Sequence, residues 1–428
     1  MKLAPVRWLQ GEVRVPGDKS ISHRYAILGA MASGTTRVWN YSTSQDCRST
    51  LECIRQLGAV VRHRDNVVEI ECQGWKHLHK PETALDVGNS GTTIRLLSAL
   101  LAGHPFSSTI QGDESINRRP MRRIIVPLSQ MGAEIEARDQ QYPPLTIKGT
   151  QLHPISYRLP IASAQVKSCV LLAGLTANGR TTVIEEIPSR DHTERALPFF
   201  GARFQRNGPA LSVHGGIPLQ ATEVETPGDF SSAVYFILAG LLVPEGGLQV
   251  RNVGMNPSRT GLLKLLEESG ASIERTNQRE SHAEPVADLN VRFSPEIFER
   301  FPREISGEWI PNLIDEIPAL AILGTRLARG ITVKDAQELR KKESDRIHSI
   351  VSNLTSLGIQ IEEFEDGFHI PPAQQIRGGR VKTYGDHRIA MSFALASLIA
   401  QGPVEMDDPQ CCSVSFPDFF ERLQSVSR

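Results

Sequence analysis

Cysteines are few, aromatics are few and net charge is almost nil, and each scarcity closes off a class of function. Six cysteines (Cys47, Cys53, Cys72, Cys169, Cys411 and Cys412) are spread through 428 residues without a CxxC pair. That is neither a disulfide framework nor a zinc pattern, so reduced thiols are expected. Lys and Arg number 47 against 48 Asp and Glu, a formal charge of −1, and no global field is left to draw in nucleic acid or an anionic membrane. Aromatics make up 6%, too few for a surface on which bases stack. The longest apolar run, Val234 to Pro244, falls short of the roughly 18–20 residues that cross a bilayer, and the N-terminus lacks the apolar centre of a signal peptide. A cytoplasmic protein is expected.

What is present reads as α/β. The chain is 40% hydrophobic with 34 Gly and 27 Pro, an ordinary balance for that class. It exceeds the roughly 250–300 residues at which a single core stops growing, so two domains are expected.

One phrase recurs at Leu57, Met131, Phe200, Ser269 and Leu357: a helix running into Gly58, Gly132, Gly201, Gly270 or Gly358, then two short alternating segments joined by a polar turn. The spacing suits a βαβαββ unit, and five visible copies predict six with one degraded. Between copies lie helices apolar on most faces, such as "TIRLLSALLAG" and "SSAVYFILAGLLV". They should be buried, with the sheets outside. The predicted architecture is a two-domain inside-out α/β barrel, three repeats per domain. Crossings at Pro16-Gly17 and Pro227-Gly228 give residues 1–15 plus 229–428 for one domain and 16–228 for the other.

Polar residues cluster at the starts of these apolar helices. "PGDKSISHR" puts Lys19 and Ser20 at a helix N-terminus, which favours an anion, with Arg24 on the face of Ser20. "GNSGTTIRL" has the same build around Gly91, where small residues let backbone N–H groups approach a ligand and Arg95 adds charge or braces the loop. In "GDESINRRPMRR" four arginines crowd together, and Arg119 before Pro120 is the one whose direction is restricted. "LRKKESDRI", read as helix, would bring Lys342, Arg346 and Glu343 together. "IASAQVKS" places Ser163, Gln165 and Lys167 at another helix mouth, "LIDEIPAL" places Asp315, and "YGDHRIAM" places Asp386, His387 and Arg388. His387 has no second His or acid at metal spacing, so no metal is expected. Each motif alone also describes a capped helix or a solvated charged face. Their coincidence predicts a positive cleft for a small polyanion, with Asp315 and Glu343 supplying base and acid.

In order and spacing, "PGDKSISHR", "GNSGTTIRL", "ASAQVKS", "LRKKESDRI" and "YGDHRIAM" resemble the signatures of the 5-enolpyruvylshikimate-3-phosphate synthase family. That resemblance implies an enolpyruvyl transfer from phosphoenolpyruvate to the 5-hydroxyl of shikimate 3-phosphate without metal or organic cofactor. It implies that Lys19, Ser20, Arg24, Ser163, Ala164, Gln165, Ser189, Arg190, Asp315 and Lys342 hold shikimate 3-phosphate. Lys19, Gly91, Arg119, Gln165, Arg346 and Arg388 would hold phosphoenolpyruvate. Asp315 would be the base, and Glu343 or Lys19 the proton donor.

"SAQVKS" and "RDHTE" are similar to the class II bacterial subgroup. Val414 departs from the pattern, since many members carry Lys there, and Ala164 stands where some have Ser. Gly91 leaves room beside the enolpyruvyl site, so inhibition by glyphosate is an open expectation; a monomer is expected. The sugar-nucleotide enolpyruvyl transferases need a Cys in the loop that reads "GDESINRRP" here, and none is present. A phosphate-binding module without chemistry would have no use for Asp315 and Glu343 among cations.

Overall fold

Six helices carry apolar residues all round, and such helices are stable only when surrounded. The computed structural model, which describes residues 1–427, has them at α1 (Lys19–Met31), α2 (Gly91–Ala102), α3 (Ala164–Thr176), α4 (Phe230–Leu242), α5 (Ile317–Gly324) and α6 (His387–Ile399). Every residue of α4 and α5 is buried. At about 1.5–3 kcal/mol for each large apolar side chain removed from water, these helices are the main stabilising element.

The chain divides into two compact units. One, here the continuous unit, comprises Gly17–Thr226 with Ser281–Glu284; the other, the split unit, comprises Met1–Pro16, Pro227–Glu280 and Pro285 onward. Helices α1, α2 and α3 belong to the continuous unit, and α4, α5 and α6 to the split unit. Each unit has its own apolar core built around its three helices.

Six small mixed sheets cover these helices, one per repeat. The second repeat shows the plan. Strand Leu85–Asp86 precedes α2 and pairs parallel with Ser107–Gln111, which follows it; an amphipathic helix, Arg122–Gln130, leads into the antiparallel hairpin Glu134–Arg138 and Tyr142–Lys148. This is the expected βαβαββ unit, helices inside and sheets outside. All five repeat-marking glycines have positive φ: Gly58 106°, Gly132 109°, Gly201 73°, Gly270 93° and Gly358 86°. A side chain there would be strained, so the helix end and hairpin are spaced alike in each copy. A different glycine role appears inside α3. A Cβ on Gly174 would lie 2.7 Å from Thr181 Cβ and 2.8 Å from Val213 Cγ2, so its absence lets the helix sit close on its sheet.

The degraded sixth copy has no hairpin of its own. Val404–Met406 pairs parallel with Gly379–Val381 and antiparallel with Lys2–Leu3, so the N-terminus supplies the missing strand. The next N-terminal strand, Trp8–Arg14, joins Glu245–Gly254 in the fourth sheet. In the continuous unit Glu223–Glu225 closes on Ala32–Trp39 of its first repeat. All six cysteines are buried and none is bonded to another. No helix among the described residues is long and apolar enough to cross a membrane.

One buried residue of α1 links the fold to pH. His23 is fully buried, its Nδ1 2.7 Å from Thr50 Oγ1 and its Nε2 without a partner. Burial above all, then the charges of Lys19 and Arg24, hold its pKa well below the ordinary 6.5. The unfolded chain therefore takes up a proton that the folded chain resists. Stability should be full above pH 6.5 and fall at lower pH, by up to about 1.4 kcal/mol per pH unit. Urea unfolding at pH 7.0, 6.0 and 5.0 should show this slope, and His23→Asn should flatten it; an unchanged slope in the variant would assign it to other groups.

Candidate active site

In the continuous unit the polar residues meet at the N-terminal ends of α1, α2 and α3. Asp18 caps α1 by accepting from Ile21 N–H at 3.0 Å, Ser90 caps α2 through Thr93 N–H at 3.1 Å, and Ser163 caps α3 through Val166 N–H at 3.4 Å. The remaining amide groups and dipoles of three helix ends favour an anion here. Lys19 Nζ is 2.8 Å from Asp46 Oδ2, in the first turn of the helix Gln45–Gln56. Arg24 donates to Ser20 O and Thr193 Oγ1, both at 2.7 Å, and to Ser168 Oγ at 2.8 Å. Its guanidinium is thereby fixed by α1, α3 and the segment after Ser189.

Gln165 ties α3 to α2. Its Oε1 accepts from Arg95 Nη1 at 2.8 Å and its Nε2 donates to Thr92 Oγ1 at 3.1 Å; Arg95 also donates to Gly91 O at 3.1 Å. Arg95 thus braces the loop. Among the four clustered arginines, Arg119 is buried while Arg118 and Arg122 are exposed, and Arg119 donates to Asn89 Oδ1 at 2.9 Å and Ser115 Oγ at 3.0 Å. A Cβ on Gly91 would lie 2.8 Å from Arg95 Nη1 and 3.0 Å from Arg119 Nη1. Ser163, Ala164, Ser189 and Arg190 are half-buried, and Ser189 N–H donates to Glu185 Oε1 at 3.0 Å.

Lys167 departs from the expectation. It does not stand at the mouth of α3 with Ser163 and Gln165 but is fully buried, 2.8 Å from both Glu185 Oε2 and Glu194 Oε1. The helical turn that carries Gln165 outward rotates Lys167 into the core. Burial raises the Glu194 pKa, against the pull of Lys167.

In the split unit the reading of "LRKKESDRI" as one helix needs correction. A 3-10 turn covers Gln337–Lys341, and the α-helix begins only at Arg346 because Asp345 caps it, accepting from His348 N–H at 3.0 Å. Lys342 and Glu343 lie in the link between them and are half-buried. The convergence survives through a different geometry. Arg346, 1% exposed, bonds Asp386 with Nε at 2.8 Å and Nη2 at 3.3 Å, contacts Asp315 Oδ1 at 3.4 Å and donates to Glu343 Oε2. Arg388 adds Nη1 to Asp315 O at 3.1 Å and Nε to Asp315 Oδ1 at 3.5 Å.

Burial opposes ionisation of Asp386, Arg346 and Arg388, yet their pairing outweighs it. Asp386 is held below the ordinary aspartate range by Arg346 despite its burial. Arg346 and Arg388 are held above the ordinary arginine value despite theirs, chiefly by Asp386 and Glu343 for the first and by Asp315 for the second. Asp315 and Glu343, from different segments, thus flank one guanidinium, with a second cation beside Asp315. Such a set can bind an anion and move protons at two points. Sequence reasoning missed Asp46, Asn89 and Ser115 as partners of Lys19 and Arg119, although Asn89 and Ser115 sit inside motifs that it singled out.

Removing one partner of a buried pair strands the other charge. Asp386→Ala should cost about 3–5 kcal/mol in urea unfolding. A loss below about 1 kcal/mol would show that Asp315 and Glu343 suffice to hold Arg346.

The model of the EPSP synthase (3-phosphoshikimate 1-carboxyvinyltransferase) family matches residues 3–423. A 3-phosphoshikimate 1-carboxyvinyltransferase of Desulfitobacterium hafniense is 47% identical over 429 residues, covering 100% of this chain and 98% of its own. The one of Bacillus subtilis is 45% identical over 430 residues, covering 100% of both. Among solved structures, EPSP synthase from Acinetobacter baumannii superposes with a TM-score of 0.85 at 38% identity, covering 100% of this chain and 98% of that one. The enolpyruvyl transferase NikO from Streptomyces tendae, at 18% identity and a TM-score of 0.79 over 99% of this chain and 96% of its own, shares the fold.

Proposed function

The chain belongs to the EPSP synthase (3-phosphoshikimate 1-carboxyvinyltransferase) family, and from that membership we propose how its residues divide the reaction. The enzyme transfers the enolpyruvyl group of phosphoenolpyruvate to the 5-hydroxyl of shikimate 3-phosphate and releases phosphate, a step of the shikimate pathway toward aromatic amino acids.

Asp315 takes the proton of the 5-hydroxyl and Glu343 gives one to the methylene carbon of phosphoenolpyruvate. Protonation makes C2 cationic and open to attack by the 5-oxygen, so the addition needs an acid and a base at once; phosphate then leaves C2 as the methyl carbon gives a proton back to a carboxylate, which restores the double bond. The observation that carries this reading is that both carboxylates contact Arg346. Arg119, Arg346 and Arg388, with Lys19, Gly91 and Gln165, hold phosphoenolpyruvate and stabilise the leaving phosphate. Ser20, Arg24, Ser163, Ala164, Gln165, Ser189 and Arg190 hold shikimate 3-phosphate, with Lys19, Asp315 and Lys342. Buried arginines fixed by several bonds support a binding role, since pre-oriented charge needs no rearrangement when the anion arrives.

No metal or organic cofactor enters this scheme. The motifs "SAQVKS" and "RDHTE" support placement in the class II bacterial subgroup, acting as a monomer in the cytoplasm. The absence of a side chain at Gly91, which lets the Arg95 and Arg119 guanidinium ends lie against its backbone, supports inhibition by glyphosate at the phosphoenolpyruvate site.

Phosphate release should require both substrates and no added metal. Asp315→Asn and Glu343→Gln should each lower kcat by roughly 100-fold or more, the usual scale of general acid–base catalysis, with far smaller changes in substrate dissociation constants. A near-normal kcat in either variant would remove that residue from the assignment.

Gly91→Ala should fold normally, because the contacts in its way are the guanidinium ends of two long side chains, Arg95 and Arg119, rather than backbone. Their displacement should raise the phosphoenolpyruvate KM by roughly tenfold and leave kcat within about threefold, the signature of lost uniform binding. A wild-type KM would mean that neither tip touches this substrate.

A further inference from the structure

A lysine buried to 0% exposure on a helix that is otherwise apolar needs a reason, because ordering and desolvating it costs more than a leucine would. Lys167 is such a residue, and the reaction scheme does not use it. Its Nζ makes three contacts: Glu185 Oε2 at 2.8 Å, Glu194 Oε1 at 2.8 Å and the backbone carbonyl of Ser189 at 3.3 Å.

The other oxygen of Glu185 accepts from Ser189 N–H at 3.0 Å and also from Ser189 Oγ. Lys167 therefore grips Ser189 twice, directly at its carbonyl and through Glu185 at its amide and hydroxyl. Thr193, one residue before Glu194, accepts from Arg24 Nε at 2.7 Å and shares a 2.7 Å hydrogen bond with Ser168, the residue after Lys167. One hydrogen-bonded assembly thus runs from Ser20 and Arg24 on α1, through Ser168 and Lys167 on α3, to both ends of the loop that carries Ser189 and Arg190.

We propose that Lys167 is a positioning residue for shikimate 3-phosphate: with Glu185 and Glu194 it fixes the 185–194 loop so that Ser189 and Arg190 are presented, already oriented, to the substrate's phosphate. This rests on the reading that Ser189 and Arg190 contact that substrate. An apolar residue in place of Lys167 would match its volume but strand the buried carboxylates of Glu185 and Glu194 and free Ser189, leaving the loop held at its Thr193 end. Pre-orientation then appears as affinity for one substrate, since a bound anion no longer has to order the loop.

The test is a cycle of variants in the full-length enzyme, read as KM for each substrate, kcat, and shikimate 3-phosphate affinity by calorimetry. Lys167→Met should weaken shikimate 3-phosphate by roughly tenfold or more, while the phosphoenolpyruvate KM moves less than about twofold, a split that general destabilisation does not produce. Glu185→Gln, which keeps the shape and the Lys167–Glu194 pair, should act in the same direction and serves if Lys167→Met does not fold. In an Arg190→Ala background either effect should shrink toward the share carried by Ser189, because residues acting through one group are non-additive.

Arg190→Ala weakening the substrate while both Lys167→Met and Glu185→Gln leave it unchanged would overturn the positioning role alone. Equal weakening of both substrates, or full additivity with Arg190→Ala, would also overturn it. If Ser189→Ala and Arg190→Ala are both silent, the assignment of the loop to shikimate 3-phosphate falls, and the proposal with it.

Discussion

A helix surrounded on every side by other elements has only its ends left for polar chemistry, and that constraint organises each unit. Burying α1 to α6 along their length forces charge and hydroxyl groups toward the ends, where free amide groups and the dipole already favour anions at the N-terminal side. The contacts show this within each unit. Gln165 joins the starts of α2 and α3, Arg24 joins α1 to α3, and Ser231 at the start of α4 donates to Glu316 beside the start of α5. The candidate site is then set largely by the packing of each core, with Glu343, Ser189 and Arg190 supplied by links between elements.

Concentrating cations at buried helix ends has a cost that the carboxylates meet. Arg346 sits among Asp315, Glu343 and Asp386; Arg259 bonds Asp229 at 3.0 Å and Ser231 at 2.7 Å; Lys167 has Glu185 and Glu194. Two of the carboxylates around Arg346 are half-buried and the third, Asp386, is fully buried. This division has a physical sense. Asp386 neutralises and orients the guanidinium, so the proton exchange proposed for Asp315 and Glu343 would not leave the buried charge alone. Arginine suits the hub because its planar fork serves several acceptors at once and never deprotonates, whereas Lys167 serves three acceptors at a point.

The repeat was legible in the chain because positive φ demands glycine, so Gly58, Gly132, Gly201, Gly270 and Gly358 mark the register of each copy. The buried helices were legible from their apolarity, and the site from polar residues interrupting it. Two things were not. The helix phase around Glu343 depends on Asp345 capping at that place, a choice between adjacent polar residues that spacing alone does not decide. The partners of Lys19, Arg24 and Lys167 come from distant segments, and a polar residue in a loop gives no sign of which buried charge it will meet. Lys167 misled for a further reason: a charge near a helix mouth reads as solvent-facing unless its turn of the helix is known.

The sixth repeat shows how the split unit is closed. Its missing hairpin is replaced by Lys2–Leu3, and Trp8–Arg14 completes the sheet of the fourth repeat, so residues at the start of the chain finish two sheets formed by its second half. The segments on either side of the intervening unit are tied where they meet, Asp229 N–H donating to Pro16 O at 2.9 Å and Gly228 N–H to Asn252 O at 2.7 Å. A Cβ on Gly228 would lie 2.7 Å from Asn252 O, so no larger residue fits that junction. Apart from Gly228 with Asn252, these closures pair residues more than two hundred positions apart, and contacts of such sequence separation cost loop entropy before they reward it. The continuous unit also closes at a distance, Glu223–Glu225 on Ala32–Trp39, but entirely within one stretch of chain. Assembly of the split unit therefore has to span the segment inserted into it, whereas the continuous unit is one stretch of chain, Gly17–Thr226, together with the turn Ser281–Glu284. The same insertion makes Lys19 and Asp229 each the third residue past its junction, so residues near both junctions open the buried helices α1 and α4, and the polar ends of those helices are set by the places where the chain changes unit.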